Sequence, residues 1–226
     1  MQRKIEDKQN KKTASPVLIT IAGGSSSGKT TVAKMIAEKC DSSKVVFLKM
    51  DNYYRDFSSL SLLEKEKINF DNSLSVDFKL LYNHVTSLLA GKDIYEPVYD
   101  HQNYFRKKEK NKKQTNKVVI LEGLFAFYFE EIKKLSSLNI FVETSSDLRV
   151  IRRIERDMEL YKRPLKKIIS NYINVVRPMH NTFIEKSKEF ADIIIPFKNF
   201  NQIATDLIAN KITNLISEEE KQKEEK

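Results

Sequence analysis

The stretch "GGSSSGKT", Gly23 to Thr30, places two glycines, a lysine and a threonine at the spacing G-x-x-x-x-G-K-[ST], a pattern suited to cradling phosphate. Between the two outer glycines, the small residues Gly24, Ser25, Ser26 and Ser27 let successive backbone N–H groups converge on an anion at a helix amino terminus, where the dipole also favours negative charge. Lys29 is expected to reach the β- and γ-phosphates of a nucleoside triphosphate, Thr30 to offer its hydroxyl to Mg²⁺, and Thr31 to complete the phosphate-binding set. Asp51 and Glu122 each follow a short apolar run. A carboxylate at such a place could take the proton of an acceptor hydroxyl or hold a metal ion, or it could simply cap the turn that follows. Further on, "DLRVIRRIERDM" sets Arg149, Arg152, Arg153 and Arg156 at helical spacings. Such a row is either a solvated face or a set of cations over a transferring phosphoryl group. The loop alone does not separate a kinase from a GTPase switch or a motor, but no N-K-x-D guanine element occurs in the chain.

The elements that would position these groups alternate. "PVLITIAG" reads as a strand, and the loop after it opens into "GKTTVAKMIAEKC", whose Val32, Met35 and Ile36 recur at helical spacing. Residues 44–50, 117–123, 138–144 and 191–197 read as further strands, and "DFKLLYNHVTSLLAG" as a helix closed by Gly91. Alternating strands and helices predict an α/β fold with a mainly parallel, doubly wound sheet, in which ligands gather outside the carboxyl ends of the strands. Asp51 and Glu122 fall at such ends. One domain is expected over residues 17–216, flanked by a flexible basic lead-in (1–16) and a charged tail (217–226), neither carrying chemistry.

The 226 residues carry 40 Lys and Arg against 31 Asp and Glu, a formal charge of +9. The excess is diffuse, with concentrations at the amino terminus and in residues 106–117, and reads as solvated surface; nucleic acid is not an expected partner. The single cysteine, Cys40, rules out an internal disulfide and makes a cytoplasmic setting the default. No run approaches the ~20 apolar residues of a membrane span, and the charged amino terminus has no apolar signal core.

The strings "MDNYYRDF", "NFDNSLSVDF", "IYEPVYD" and "VILEGLFAFY", in that order, closely resemble the uridine kinase (uridine-cytidine kinase) family of P-loop small-molecule kinases. The resemblance runs from about residue 17 to 197. It implies a P-loop kinase fold with a mobile, arginine-bearing lid. The implied reaction uses ATP (or GTP) and Mg²⁺ to phosphorylate the 5′-hydroxyl of uridine or cytidine, giving UMP or CMP in pyrimidine salvage. It further implies that Asp51 is the general base and a metal-shell residue, that Glu122 joins Thr30 around Mg²⁺, and that Asp71 grips the ribose 2′- and 3′-hydroxyls. Tyr54, Phe70 and Tyr99 match aromatic positions around base and sugar, Arg153 and Arg156 match lid arginines near the phosphates or nucleoside, and Arg163 follows along the same lid. The resemblance also implies a homo-oligomer, a tetramer in the usual case.

Three places depart from the family pattern. "PVYDHQNYF" has His101 where the family has an aromatic residue and Tyr104 where it has a histidine at the 4-position edge of the pyrimidine, so a base contact from either rests on different reach. "ELYKRPL" keeps Arg163 but has Tyr161 and Lys162 in place of the Arg-Gly that precedes it in the family, a change expected to stiffen the lid hinge. Asn171 stands where the family has glutamine, with a shorter reach to the nucleoside. Two rival readings remain open from the sequence: a related kinase of pantothenate or ribulose phosphate, and a nucleotide-binding regulator without transferase activity.

Overall fold

The computed structural model describes residues 16–65, 67–197 and 201–224. The expected basic lead-in lies outside the described residues but for residue 16.

In chain order, β1 (Val17–Gly23) leads through the phosphate loop into α1 (Lys29–Lys39), followed by β2 (Val45–Lys49), a short α2 (Leu62–Lys65) and α3 (Phe78–Leu89). The Asp77 side chain accepts from the Leu80 N–H to start α3, and Gly91, at φ 77°, lies just past its end. Next come β3 (Ile94–Asp100), β4 (Phe105–Lys113), β5 (Val118–Glu122), α4 (Glu130–Leu135), β6 (Leu138–Glu143) and α5 (Ser146–Glu159). Then α6 (Leu165–Asn171), α7 (Arg177–Met179) and α8 (Glu185–Ser187) are joined into one helical run by wide turns at Tyr172–Val176 and His180–Ile184. The strand β7 (Ile193–Pro196) and the helix α9 (Gln202–Glu224) complete the described chain. Helix α9 continues to Glu224, past residue 216 where the sequence placed a flexible tail; Glu, Lys and Gln are all good helix formers, so nothing local stops it.

The strands expected from the sequence form a five-stranded sheet in the order β2-β5-β1-β6-β7, with every pairing parallel. Alternation along the strands divides the core in two. Leu18, Leu48, Val119, Leu121 and Phe141 face one side, against Leu81, Val85 and Leu88 of α3 and Ile132 of α4. Ile19, Ile21, Val118, Ile120 and Ile140 face the other, against Val32, Ala33 and Ile36 of α1 and Ile208 and Ile212 of α9. Both faces are covered, which is why β1 and β5 read as continuous apolar runs.

The strands β3 and β4 form a separate antiparallel hairpin. It is fastened to the main sheet by Glu96, buried, whose carboxylate accepts from the Lys49 backbone N–H at 3.1 Å and pairs with Lys113 at 3.4 Å. The lysine-rich segment that reads as plain solvated surface is therefore also a strand. Its outer residues Lys107 to Lys112 are exposed, and pairing with β3 overrides their poor strand propensity.

Candidate active site

The sheet order reverses at β1, so the loop after β1 opens at the switch point, where the carboxyl ends of β2 and β5 meet it. Register places Ile21 of β1 and Lys49 of β2 level with Glu122 of β5, so Asp51, two residues past Lys49, comes out beside Glu122. Gly123 permits this convergence, because a Cβ there would lie 2.3 Å from the Met50 Cβ.

The loop is shaped by close approaches. A side chain at Gly24 would meet the Arg149 guanidinium at 2.6 Å, and one at Gly23 the Val142 carbonyl at 2.6 Å. Gly28 has φ 90° and lies against the Phe197 ring, 2.4 Å from where its Cβ would stand. Ser27 N–H donates to the Gly24 carbonyl, while the Thr144 hydroxyl donates to the Ser27 carbonyl at 2.8 Å. On one side of this loop is a cavity of about 450 Å³, whose lining includes Ser26, Gly28, Lys29, Thr30, Thr31, Asp51, Arg152 and Arg156.

Thr30 donates its hydroxyl proton to Glu122 Oε1 at 3.0 Å, which leaves its lone pairs for a cation. Glu122 Oε2 is buried with no hydrogen-bond partner. Burial pushes the Glu122 carboxyl up from its ordinary range, against the opposing pull of Lys29, with Asp51 adding to the rise. An orphaned carboxylate oxygen beside a threonine hydroxyl fits Mg²⁺, which takes few protein ligands and the rest from phosphates and water. Among the described residues there is no group of three or more His, Cys, Asp and Glu side chains that could hold a metal by itself.

On the other side, a recess of about 110 Å³ is lined by Ser25, Lys29, Asp51, Tyr54, Phe70, Asp71, His101, Arg153, Arg156 and Arg163, among others. It shares Phe70, Asp71, Arg153 and Arg163 with a cavity of about 480 Å³, to whose lining Tyr104 and Asn171 belong. Asp71 is buried, and burial raises its carboxyl while Arg153 and Lys29 oppose the rise. The Tyr54 hydroxyl lies 3.3 Å from Asp51 Oδ1 and 3.2 Å from the Phe70 carbonyl. Burial drives the Tyr54 phenol well above its usual value, so it stays a proton donor to Asp51. Burial also lowers the His101 pKa, more than Asp51 restores it.

Most of the residues the sequence singled out thus converge. Tyr99 does not line either cavity; it is buried behind them, edge-on to Tyr54 and Phe70 at 5.6 and 6.2 Å between ring centroids. Tyr104 has φ 62° and stacks on Phe70 at 5.6 Å. Asn171 accepts a hydrogen bond from Arg153 Nη2 at 3.2 Å, so it fixes an arginine as well as lining the cavity.

The arginine row on α5 is no solvated face. Arg149 and Arg153 are buried, with 6% and 7% exposure. Arg149 donates to the Thr144 carbonyl, and Arg153 Nη1 donates to the Ser25 hydroxyl of the loop at 2.7 Å. Sequence reasoning missed the residue that joins the row. Asp157, 1% exposed, pairs with Arg156 at 2.7 Å, Arg163 at 3.5 Å and Arg153 at 3.7 Å. Arg106, counted among the diffuse basic residues, was missed as well: it donates to the carbonyls of Tyr53 and Tyr54 and to Asp77, fixing the segment after β2 on which Asp51 sits. The spacing of Asp157, four residues after Arg153 on the same helix, is the one signal the sequence offered for it, and Arg106 offered none.

Comparison with known proteins finds relatives of this chain. Residues 18–204 match the model of the phosphoribulokinase / uridine kinase family. The chain is 42% identical over 205 residues to a uridine kinase of Brevibacillus brevis, covering 91% of this chain and 96% of that protein. It is 43% identical over 206 residues to a uridine kinase of Bacillus cytotoxicus, covering 91% and 97%. A solved structure described as a possible uridine kinase from Bacillus stearothermophilus superimposes with a TM-score of 0.59 at 18% identity, covering 81% of this chain and 90% of that one. A D-glycerate 3-kinase from Cryptococcus neoformans does so at 0.55 and 15%, covering 78% and 82%; at such identities these two speak for the shared fold alone. With a phosphate loop, strand-end carboxylates and a family match over nearly all of its described length, the chain belongs to the phosphoribulokinase / uridine kinase family.

Proposed function

We propose that this protein transfers the γ-phosphoryl group of ATP to the 5′-hydroxyl of uridine or cytidine; its relatives are named for uridine. One observation carries the reading: Asp51 and Lys29 line both the cavity along the phosphate loop and the recess beside Asp71. A base and a cation therefore stand where a donor in one and an acceptor in the other would meet. Phosphoryl transfer is governed by such placement and by charge.

In this reading the loop amides and Lys29 hold the triphosphate. Thr30 and Glu122 would hold Mg²⁺, which when bound offsets the charge of the phosphate oxygens. Asp71, buried and flanked by Arg153, takes the ribose 2′- and 3′-hydroxyls, a contact that a deoxyribose could make only in part. Asp51 accepts the proton of the 5′-hydroxyl as its oxygen bonds to the γ-phosphorus and the bond to the β–γ bridging oxygen breaks, releasing ADP. Arg153 and Arg156 face the oxygens of the transferring group. Tyr54 and Phe70 wall the sugar and base, and His101 and Tyr104 meet the base edge.

The test is a coupled assay of the purified protein with ATP or GTP, Mg²⁺ and each of uridine, cytidine, deoxycytidine and adenosine. Turnover with the two pyrimidine ribonucleosides, and at least ~10-fold lower kcat/KM for deoxycytidine, is the expected result. Turnover confined to adenosine, or absent with all four despite ATP binding, sinks the assignment of the acceptor.

A further inference from the structure

The arginines of this site are spread over one helix and the corner that follows it. Arg153 and Arg156 project from α5, whereas Arg163 lies in the turn at Leu160–Pro164, where Lys162 has φ 52°. What they share is Asp157. Its Oδ1 takes both Nε and Nη2 of Arg156, at 2.9 and 2.7 Å. Its Oδ2 faces Arg153 Nε at 3.7 Å and Arg163 Nη1 at 3.5 Å. Even its backbone takes part, since the Asp157 carbonyl accepts from the Arg163 N–H. The second nitrogens of the same guanidiniums reach into the site: Arg153 to Ser25 of the loop and Arg163 to the Tyr104 hydroxyl. The Tyr161 ring lies 5.0 Å from Arg163 and 5.9 Å from Arg156.

Three cations set this close repel one another, and left alone they would spread into solvent or pair with whichever anion arrived first. A single buried carboxylate, hydrogen-bonded to Arg156 and Arg163 and ion-paired with Arg153, fixes their spacing before the substrate binds, yet neutralises only one charge of three. We infer that Asp157 is a positioning residue for phosphoryl transfer, holding Arg153, Arg156 and Arg163 in one array that spans the phosphate loop and the acceptor cavity. Its role rests on the transfer reaction proposed above, and it acts through the arginines without touching either substrate. Removing its charge should leave the site more cationic but less ordered. Ground-state capture of a triphosphate then survives while the transition state loses its aligned donors.

The experiment compares Asp157→Asn and Asp157→Glu with the parent protein, reading kcat, the KM for ATP, and the stoichiometry of a non-hydrolysable ATP analogue bound per chain. For Asp157→Asn the expected result is a fall in kcat of about 100-fold, an ATP KM unchanged or lower, and one analogue bound per chain, with Asp157→Glu recovering part of the loss. A kcat within threefold of the parent overturns the inference. So does a loss of binding stoichiometry in step with kcat, which marks a purely structural residue. If Asp157→Asn does not yield folded protein, Arg163→Lys is read by the same criteria, because it keeps the charge but loses the guanidinium that spans Asp157 and Tyr104. Slow ATP hydrolysis with water as acceptor is recorded alongside: if the parent phosphorylates no nucleoside, the acceptor assignment fails, while the variants' effect on hydrolysis still decides the part played by Asp157.

Discussion

The two halves of this site are built from different materials. The donor half is backbone and strand ends: loop amides, glycines at close approaches, and carboxylates delivered by the register of β1, β2 and β5. The opposing half is side chains held by side chains, with Asp157 gathering arginines from α5 and the following corner and Asn171 anchoring one of them from α6. The first is rigid because a parallel sheet covered on both faces leaves its strand ends no freedom. The second depends on a few charged contacts and is more easily undone. The contrast teaches that the loop and the strand-end carboxylates are fixed by the fold, while the arginines opposite them are fixed by the side chains they pair with, Asp157 above all.

The sharpest way to break that contrast is Asp51→Asn. Loss of the proposed base should lower kcat by about 10²- to 10⁴-fold with ATP binding retained, checked by steady-state kinetics and nucleotide titration; near-normal turnover would remove Asp51 from the proposed chemistry.

Gly28→Ala asks whether the loop is as unforgiving as its geometry. Its Cβ would fall 2.4 Å from the Phe197 ring at a φ of 90°, and a strain of ~1–3 kcal/mol should appear as a roughly 10- to 100-fold loss in kcat/KM for ATP. An unchanged value would show that the loop yields as readily as the arginine array.

The smallest effect expected is in pH dependence. Burial raises the Glu122 carboxyl above its ordinary 4.5, so as pH falls it takes a proton earlier than a free glutamate would, and the Mg²⁺ site proposed for it should weaken at a pH where exposed carboxylates are still charged. Stability runs the other way. A carboxyl with a raised folded-state pKa costs stability when ionised at neutral pH, and that cost is relieved as pH falls toward the raised value. The apparent Mg²⁺ affinity, measured from neutral pH downward, should fall to half at a pH above 4.5; a midpoint at or below 4.5 would place Glu122 in an ordinary environment.

Much of this was legible in the chain. The parallel strands announced themselves because burial on both faces demands unbroken runs such as "VLITIAG" and "VVILE", and the loop announced itself because phosphate binding needs small residues at fixed spacing. The β3–β4 hairpin was hidden, since "FRKKEKNKK" has neither the composition nor the alternation of a strand and is held by its partner and by Glu96. Tyr99 was drawn to the cavity by motif, yet it packs behind Tyr54 and Phe70.

What the sequence by itself determined is therefore the local machinery: the phosphate loop, the helix it opens, and carboxylates at the ends of apolar strands. Spacing along the chain encodes those directly. Only the tertiary structure decided that Asp51 lies between two cavities, that Arg106 pins the segment carrying it, and that Asp157 gathers three arginines. Each of these depends on which side chains meet when separate elements pack, and a carboxylate that neutralises distant cations looks, in the sequence, like any other acid on a helix.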